Sequence, residues 1–270
     1  MESGRLGPRA GARSPTAVLA ALPEEVAGVV ARLEGRVERM LEGQGEGRPR
    51  GVTEGFVGEE ALVIMVTGDG ALNARSGAAA LLGAVPVGRL IAIGVAGGLS
   101  SGLRAGELIM AREVVGESGC RFCSSVAAPA ARAAGARLGT VYTAGHLILE
   151  SEDKRRLGEA VLPGREAGVV DLESAHFAAV AEEAGVPWLV IRAVSDTAEE
   201  DLPRFLAACA GPEGEIRRGE VLRHAARHPS AIPGLLRMRR RIELCGRALA
   251  SAVEGVLHAP WGAPVEMAGS

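Results

Sequence analysis

Apolar runs separated by loops and polar stretches are the most regular feature of this chain. The most continuous runs predict buried strands, at residues 16–22, 61–67, 89–95, 107–115, 138–143 and 188–194, with a short strand at 169–170. Between them the pattern predicts helices at 25–41, 71–82, 151–160 and 173–185, with loops at 43–51 and 117–136. A further helical region runs from 202 to about 258, broken at Pro212, Pro229 and Pro233. Continuous apolar strands alternating with helices are typical of an α/β layer fold with a mostly parallel sheet.

Acidic residues stand at the ends of several of these strands. Asp171 and Glu173 follow one short apolar strand, Asp196 follows the next, and Glu25 follows the first. An unpaired carboxylate inside a buried strand is costly, whereas ligands of parallel sheets bind at the carboxyl ends of the strands. Glycine-containing turns end two further strands, at 68–70 and 96–98. We therefore expect the acids to face a shared crevice.

Each of three acids has a structural and a functional interpretation. Asp196 is either the N-cap of a following helix or a general acid at a strand end. Glu173 is either a first-turn acid that complements a helix dipole or an acceptor for two vicinal ribose hydroxyls. Glu25 is ambiguous in the same way, and its functional interpretation is a carboxylate that holds and activates water. The pattern alone leaves these alternatives open.

Composition argues against several classes of function. The 270 residues are 47% hydrophobic, which is ample material for a buried core, and a net charge of −3 argues against nucleic-acid binding. No run of about 18 apolar residues predicts a transmembrane helix, and the N-terminal stretch lacks the apolar region of a signal peptide. Cys120 and Cys123 form a lone C-x-x-C, which supplies too few ligands for a structural zinc site. We expect free thiols in a reducing cytoplasm, no metal and no cofactor.

The C-terminal part of the chain is strongly basic. We expect a single domain over 16–258, whose part at 217–258 is basic and helical, between a disordered tail at 1–15 and a flexible tail at 259–270. Residues 217–247 carry nine arginines and two glutamates, interleaved with Ile232, Leu235, Leu236 and Met238. This stretch is either a solvated helix face that covers the core or a basic amphipathic surface that meets anionic lipid.

Five segments together resemble the nucleoside phosphorylase/nucleosidase family, which includes purine nucleoside phosphorylases and methylthioadenosine/adenosylhomocysteine nucleosidases. The segments are LAALPEEV (19–26), VTGDGALNARSGAAALL (66–82), IAIGVAGGLSSGLRAGELI (91–109), VVDLESAHFAAVAEEAGVP (169–187) and IRAVSDTAEE (191–200). The five segments follow each other in the family's order. A D-x-E-S segment followed about twenty residues later by R-A-x-S-D is fairly specific to this family. The C-terminal stretch LRHAARHPSAIPGLLRMRRRIELCGRAL also resembles the hopanoid-associated branch, which is thought to remove adenine from adenosylhopane.

The resemblance implies a three-layer α/β/α domain with a mixed sheet, a nucleoside substrate and a homodimer or larger assembly. Asp196 would protonate purine N7, Ser195 would orient the Asp196 carboxyl, and Glu173 would bind the ribose hydroxyls. Leu172 would pack under the sugar, and Leu147 and Ile148 would lie near the base, where nucleosidases commonly have Phe. The remaining substrate contacts would come from the turn at Val95, Ala96 and Gly97.

The nucleophile is either water or phosphate. Bacterial purine phosphorylases carry Gly-Asp-Pro-x-x-x-Arg after the first strand, whereas this chain has the residues 21–25, ALPEE. An acid at Glu25 repels phosphate and suits water activation, so hydrolysis is predicted. Phosphorolysis, with Arg75 or Arg104 as the cation, is the alternative. A catalytically inactive nucleoside-binding relative is another, since nucleosidases usually have Ser where this chain has Val95.

Overall fold

A computed structural model of the chain describes residues 14–41, 49–162, 164, 167–209, 211 and 218–259. The strands of this part are β1 (Thr16–Ala20), β2 (Glu34–Leu41), β3 (Arg50–Val57), β4 (Glu60–Val66), β5 (Arg89–Gly98), β6 (Leu108–Gly116), β7 (Arg121–Cys123), β8 (Arg137–Thr143), β9 (Ala167–Asp171) and β10 (Trp188–Asp196). The helices are α1 (Pro23–Val30), α2 (Ala71–Ala84), α3 (Ala127–Ala134), α4 (Ser151–Val161), α5 (Ser174–Glu183), α6 (Phe205–Cys209), α7 (Arg218–Arg227) and α8 (Ile232–Leu257), with a 3-10 turn at Pro229–Ala231.

The strands form a mixed sheet in the order β10-β6-β8-β9-β5-β1-β4-β3-β2, with β7 beside β6. Strand β1 lies parallel to β4 and β5, and β10 lies parallel to β5 and antiparallel to β6. Because β9 also pairs with β5, at Gly97 and Gly98, the strands β5, β10, β6, β8 and β9 close on themselves. This closure gathers the carboxyl ends of β5, β9 and β10 at one place.

The core lies on both faces of the sheet. Ala17 and Leu19 of β1 pack with α2 and α5 on one face, whereas Val18 and Ala20 pack with α1, α3 and α8 on the other. Alternating residues of one strand are therefore buried on opposite sides, which is why the central strands are apolar throughout. The predicted three-layer α/β fold with a mixed sheet is confirmed.

Several predicted elements were wrong. The helix predicted at 25–41 ends at Val30 and is followed by β2, because Val37, Arg39 and Leu41 alternate with more exposed residues in the two-residue period of a strand. Strand β3, part of which was predicted as a loop, pairs with β2. The irregular loop predicted at 117–136 contains β7 and α3.

The C-terminal helices differ from the prediction at one proline. Pro233 does not break the chain, because it lies in the first turn of α8, where a missing N–H costs nothing. Pro212 lies outside the described residues. No described helix is long and apolar enough to span a bilayer.

Candidate active site

Glu25 lies in the first turn of α1, directly after β1, and is buried. Its Oε2 accepts a hydrogen bond from the amide of Leu22 at 2.9 Å, and its Oε1 accepts one from the amide of Val95 in β5 at 2.8 Å. Burial raises the pKa of Glu25, while the nearby Arg192 guanidinium acts in the opposite direction. The side chain thus links the first helix to the carboxyl end of the central strand.

Glu173 follows β9 and is the N-cap residue of α5. It makes no capping hydrogen bond to its own helix, and its Oε1 instead accepts a bond from the amide of Gly70 at 2.9 Å. Burial, with the Asp171 carboxylate beside it, raises the pKa of Glu173 to about 8. The side chain of Glu173 is therefore hydrogen-bonded to the loop before α2 and not to its own helix.

Asp196 is the last residue of β10 and is only 4% exposed. Its Oδ1 accepts a hydrogen bond of 2.6 Å from Ser195 Oγ, which lies 3.2 Å from the carbonyl oxygen of Ala96. Its Oδ2 accepts a hydrogen bond from the Nζ of Lys154, a fully buried residue of α4. Each oxygen of the Asp196 side chain therefore accepts one hydrogen bond. No helix begins at Asp196, so this residue is not an N-cap.

The predicted acids meet at the carboxyl end of β5. Asp196 pairs with Gly97, two residues beyond the Val95 amide that Glu25 binds. Strand β9, which leads to Glu173, pairs with β5 at the same glycine. A Cβ on Gly97 would lie 3.1 Å from Asp196 Oδ2, a tight contact, so glycine lets these strands approach closely there. The sheet thus brings Glu25, Glu173 and Asp196 to one edge.

The predicted apolar contacts lie in the connections beside this edge. Ile148 and Leu172 pack against a small cluster of Leu99, Ala144 and Val170. Leu147 precedes Ile148 in the segment between β8 and α4 and is half-buried. These side chains can form an apolar wall next to the acids.

The sequence interpretation did not assign a role to Arg192, a buried cation of this site. Arg192 lies in β10 with no exposed surface, and its Nε lies 2.7 Å from Asp171 Oδ2 and 3.0 Å from Ser174 Oγ. Asp171 also accepts a hydrogen bond from Thr143 Oγ1 at 2.9 Å. Within the described part of the chain, Arg192 Nη2 is buried without a protein partner. An arginine inside an otherwise apolar strand was the sequence signal for this residue.

The arginines considered as phosphate cations lie elsewhere. Arg75 is exposed on α2 and pairs with Glu183 at 2.9 Å. Arg104 is exposed in the turn before β6. The sequence interpretation also assigned no role to Lys154. It is the only lysine in the sequence, and this was the feature that could have drawn attention to it.

Comparison with known proteins identifies the family of this chain. The family model of the phosphorylase superfamily matches residues 15–232. The chain therefore belongs to the phosphorylase superfamily, and the family resemblance is confirmed. A relative from Geobacillus kaustophilus (strain HTA426), named 5′-methylthioadenosine/S-adenosylhomocysteine nucleosidase, is 30% identical over 227 residues, which are 74% of this chain and 93% of the relative. The prediction of an enzyme of the nucleosidase class is confirmed as well.

Solved structures share the fold at lower identity. A nucleosidase of the same name from Neisseria meningitidis, in complex with methylthio-immucillin-A, has a TM-score of 0.68 at 19% identity, over 90% of this chain and 98% of that one. The native futalosine hydrolase of Helicobacter pylori strain 26695 has a TM-score of 0.67 at 17% identity, over 90% and 97%. At these identities the similarity extends to the fold alone.

Proposed function

We propose that this enzyme hydrolyses the N-glycosidic bond of a purine nucleoside, with adenine as the base and a substituent on the ribose 5′ carbon. The observation that carries the proposal is the meeting of three buried acids, Glu25, Glu173 and Asp196, at the end of one central strand. Acids held in this way supply a proton donor, a water acceptor and a hydroxyl acceptor for one substrate.

Asp196 is the proposed general acid. Its proton passes to N7 of the base while the C1′–N9 bond breaks, so the base leaves as a neutral molecule and the ribose becomes an oxocarbenium-like cation. The hydroxyl of Ser195 fixes one oxygen of the carboxyl. Proton transfer by a positioned side chain contributes about 10²- to 10⁴-fold to a rate.

Glu25 is the proposed acceptor for the attacking water. Burial raises the pKa of Glu25, which makes the carboxylate a better proton acceptor than a solvated one. Water attacks C1′ and gives its proton to Glu25, so the products are the free base and the ribose that still carries its 5′ substituent. Each oxygen of Glu25 accepts one backbone hydrogen bond and keeps capacity for a second.

Glu173 and Arg192 are the proposed ribose contacts. Glu173 accepts hydrogen bonds from the vicinal hydroxyls, and the buried Nη2 of Arg192 donates to a hydroxyl oxygen or to the water. Buried donors are almost always satisfied, so a guanidinium nitrogen without a protein partner favours a ligand contact. Leu172 and Ile148 form the proposed apolar contacts to sugar and base.

Water is favoured over phosphate as the nucleophile. A phosphate needs backbone N–H groups and cations to neutralise it, and the Val95 amide is already bound by a carboxylate of the chain itself. Glu25 would also repel a second anion. Both observations favour hydrolysis over phosphorolysis, including phosphorolysis of adenosylhopane.

The purified protein is expected to release adenine from 5′-methylthioadenosine and S-adenosylhomocysteine at the same rate with and without phosphate. The sugar product should be the free sugar, because water is the nucleophile. Chromatography of base and sugar after incubation in phosphate-free and phosphate buffers measures both. Strict dependence on phosphate with formation of a sugar 1-phosphate would instead establish phosphorolysis, and no base release from any purine nucleoside would establish the inactive alternative.

We also propose that the first half of α8 binds a membrane surface rich in anionic lipid. Ile232, Leu236 and Leu244 are 42%, 50% and 43% exposed there, beside the exposed arginines Arg237 and Arg240. The second half of α8 is buried against the sheet, so the first half is the part available to a partner. Exposed apolar side chains among cations suit the boundary between headgroups and acyl chains. A surface of this kind would serve a substrate with a lipid-like 5′ group.

Liposome flotation tests the membrane proposal. The protein is expected to float with vesicles that contain phosphatidylserine and to float less as salt rises, because arginine attraction to anionic lipid is screened. The double variant Ile232→Ser, Leu236→Ser should float less than the parent. Leu72→Ser, which changes a leucine on α2 that is more exposed than either of these residues, is the control and should float like the parent. Flotation that does not depend on anionic lipid would contradict the proposal.

A further inference from the structure

Lys154 is the only lysine of a sequence that otherwise uses arginine for its cations. It lies in the first turn of α4 and has no exposed surface. Both features are unfavourable for an ammonium group, because burial removes its water and the positive end of the helix dipole repels it. An ammonium kept in such a position needs strong compensation from its neighbours.

The compensation comes from one side of the proposed active site. Lys154 Nζ donates to Asp196 Oδ2, to the carbonyl oxygen of Thr197 at 3.2 Å and to that of Glu200 at 2.8 Å. These are three acceptors for the three N–H bonds of an ammonium. A compact ammonium can direct its donors in this way, whereas the planar fork of an arginine directs them in one plane.

The segment that follows Asp196 is hydrogen-bonded to the start of α4. The amide of Leu202 donates to the carbonyl oxygen of Leu149 at 2.8 Å, and the amide of Ser151 donates to Asp201 Oδ1 at 2.7 Å. These bonds fix the distance between Lys154 and Asp196 independently of their ion pair.

Other charges act on the same pair. Glu200 binds Arg241 of α8 through both carboxylate oxygens, at 2.6 and 2.7 Å. Arg241 and Cys245 of α8 lie within electrostatic range of Asp196. Arg241 is paired with Glu200, whereas Lys154 contacts the Asp196 carboxylate directly.

We propose that Lys154 is a positioning residue that sets the acidity of Asp196 during glycosidic bond cleavage. The proposal rests on the proposed function of Asp196 as general acid. Before the reaction Asp196 carries a proton taken from solvent. As the C1′–N9 bond breaks, this proton moves to N7, and the carboxylate that remains is stabilised by the Lys154 ammonium. The Asp196 carboxylate accepts one hydrogen bond from Ser195 and one from Lys154. Its remaining lone pairs can accept a hydrogen bond from the protonated base.

Replacing Lys154 with Met tests the proposal through the pH dependence of kcat. Without the adjacent cation the carboxyl holds its proton to higher pH and gives it up less readily. We therefore expect the alkaline limb of the profile to move up by about 1 pH unit or more, and the plateau of kcat to fall at least about tenfold. Arg156→Gln removes one positive charge from an exposed position of the same helix and should leave both unchanged. An alkaline limb that stays in place would overturn the proposal.

The double variant Lys154→Met, Asp196→Asn separates positioning from a general loss of structure. If Lys154 acts through Asp196, the double variant and Asp196→Asn have the same residual turnover, within about twofold. A further tenfold loss in the double variant would contradict the proposal. Full turnover in Asp196→Asn alone would instead remove the proposed function of Asp196, so the two failures are distinguishable.

A spectroscopic measurement covers the case in which Lys154→Met does not fold. Since the chain has one lysine, labelling with ¹⁵N-lysine gives a single side-chain ammonium signal. In the unsubstituted enzyme this signal is expected to shift across the alkaline limb, and in Asp196→Asn it should not. An ammonium signal that is constant across the limb in the unsubstituted enzyme would overturn the proposal without any substitution at Lys154.

Discussion

Replacing Asp196 with Asn is expected to lower kcat by about 10²- to 10⁴-fold, because the amide has no proton to give to N7 at neutral pH. Binding of a substrate-like inhibitor should change little, since Asn has the shape of Asp and can still bond to Ser195 and Lys154. Steady-state base release measures kcat, and calorimetry with a non-hydrolysable 5′-substituted adenosine analogue measures binding. A fall in kcat without a comparable fall in affinity is the signature of a group that acts in the transition state.

Asp201→Asn is the matched control for this substitution. Asp201 lies five residues after Asp196, in the segment that is hydrogen-bonded to the start of α4. Its exposed carboxylate accepts a hydrogen bond from the Ser151 amide. Asn keeps an oxygen that can accept this hydrogen bond, so the same chemical change there should leave turnover close to that of the parent. If Asp196→Asn and Asp201→Asn behaved alike, Asp196 would not be the acid.

The central strands were predictable because each is buried on both faces. Strands β1, β4 and β5 are continuous apolar runs, so their periodicity cannot be confused with that of an exposed helix. Strand β2 was not predictable in the same way. Its residues Glu34–Leu41 carry four charged side chains and lie at the sheet edge, where only pairing with β3 makes them a strand. Tertiary pairing therefore decided the elements that the local pattern could not.

The acids of the site were predictable because they end strands. Glu25, Glu173 and Asp196 each follow an apolar run, and the topology of a parallel sheet brings such positions together. The cations were harder to predict, because an arginine or lysine in isolation says nothing about its partner. Lys154 reaches Asp196 across 42 residues, and the contact depends on the bonds between α4 and the segment after β10.

The need to balance the charge of buried acids explains why both Arg192 and Lys154 are buried at this site. Four buried acids, Glu25, Asp171, Glu173 and Asp196, lie at this sheet edge, and buried carboxylates without cations are costly. Arg192 contacts Asp171 and lies near Glu25 and Glu173, whereas Lys154 contacts Asp196. A chain predicted to gather acids at one place is therefore also expected to bury cations there.

Replacing Arg192 with Met is expected to lower the free energy of unfolding by about 3–5 kcal/mol, the usual cost of removing one partner of a buried ion pair. Asp171 would lose the Nε contact at 2.7 Å, and the carboxylates of Glu25 and Glu173 would lose a nearby positive charge. Arg192 opposes the effect of burial on both glutamates, so their pKa values should rise further. Urea unfolding at constant pH measures the stability, and base release measures the accompanying loss of turnover.

Arg192→Lys separates the charge from the geometry of the guanidinium. A lysine keeps the positive charge near Asp171 and should recover much of the lost stability. It cannot reproduce both the Nε contact with Asp171 and the donor at Nη2, so turnover should stay low. Stability and turnover that recover together would mean that Arg192 acts through its charge alone, and the contact proposed for Nη2 would then be wrong. Recovery of stability without turnover would mean that this nitrogen donates to the ribose or to the water.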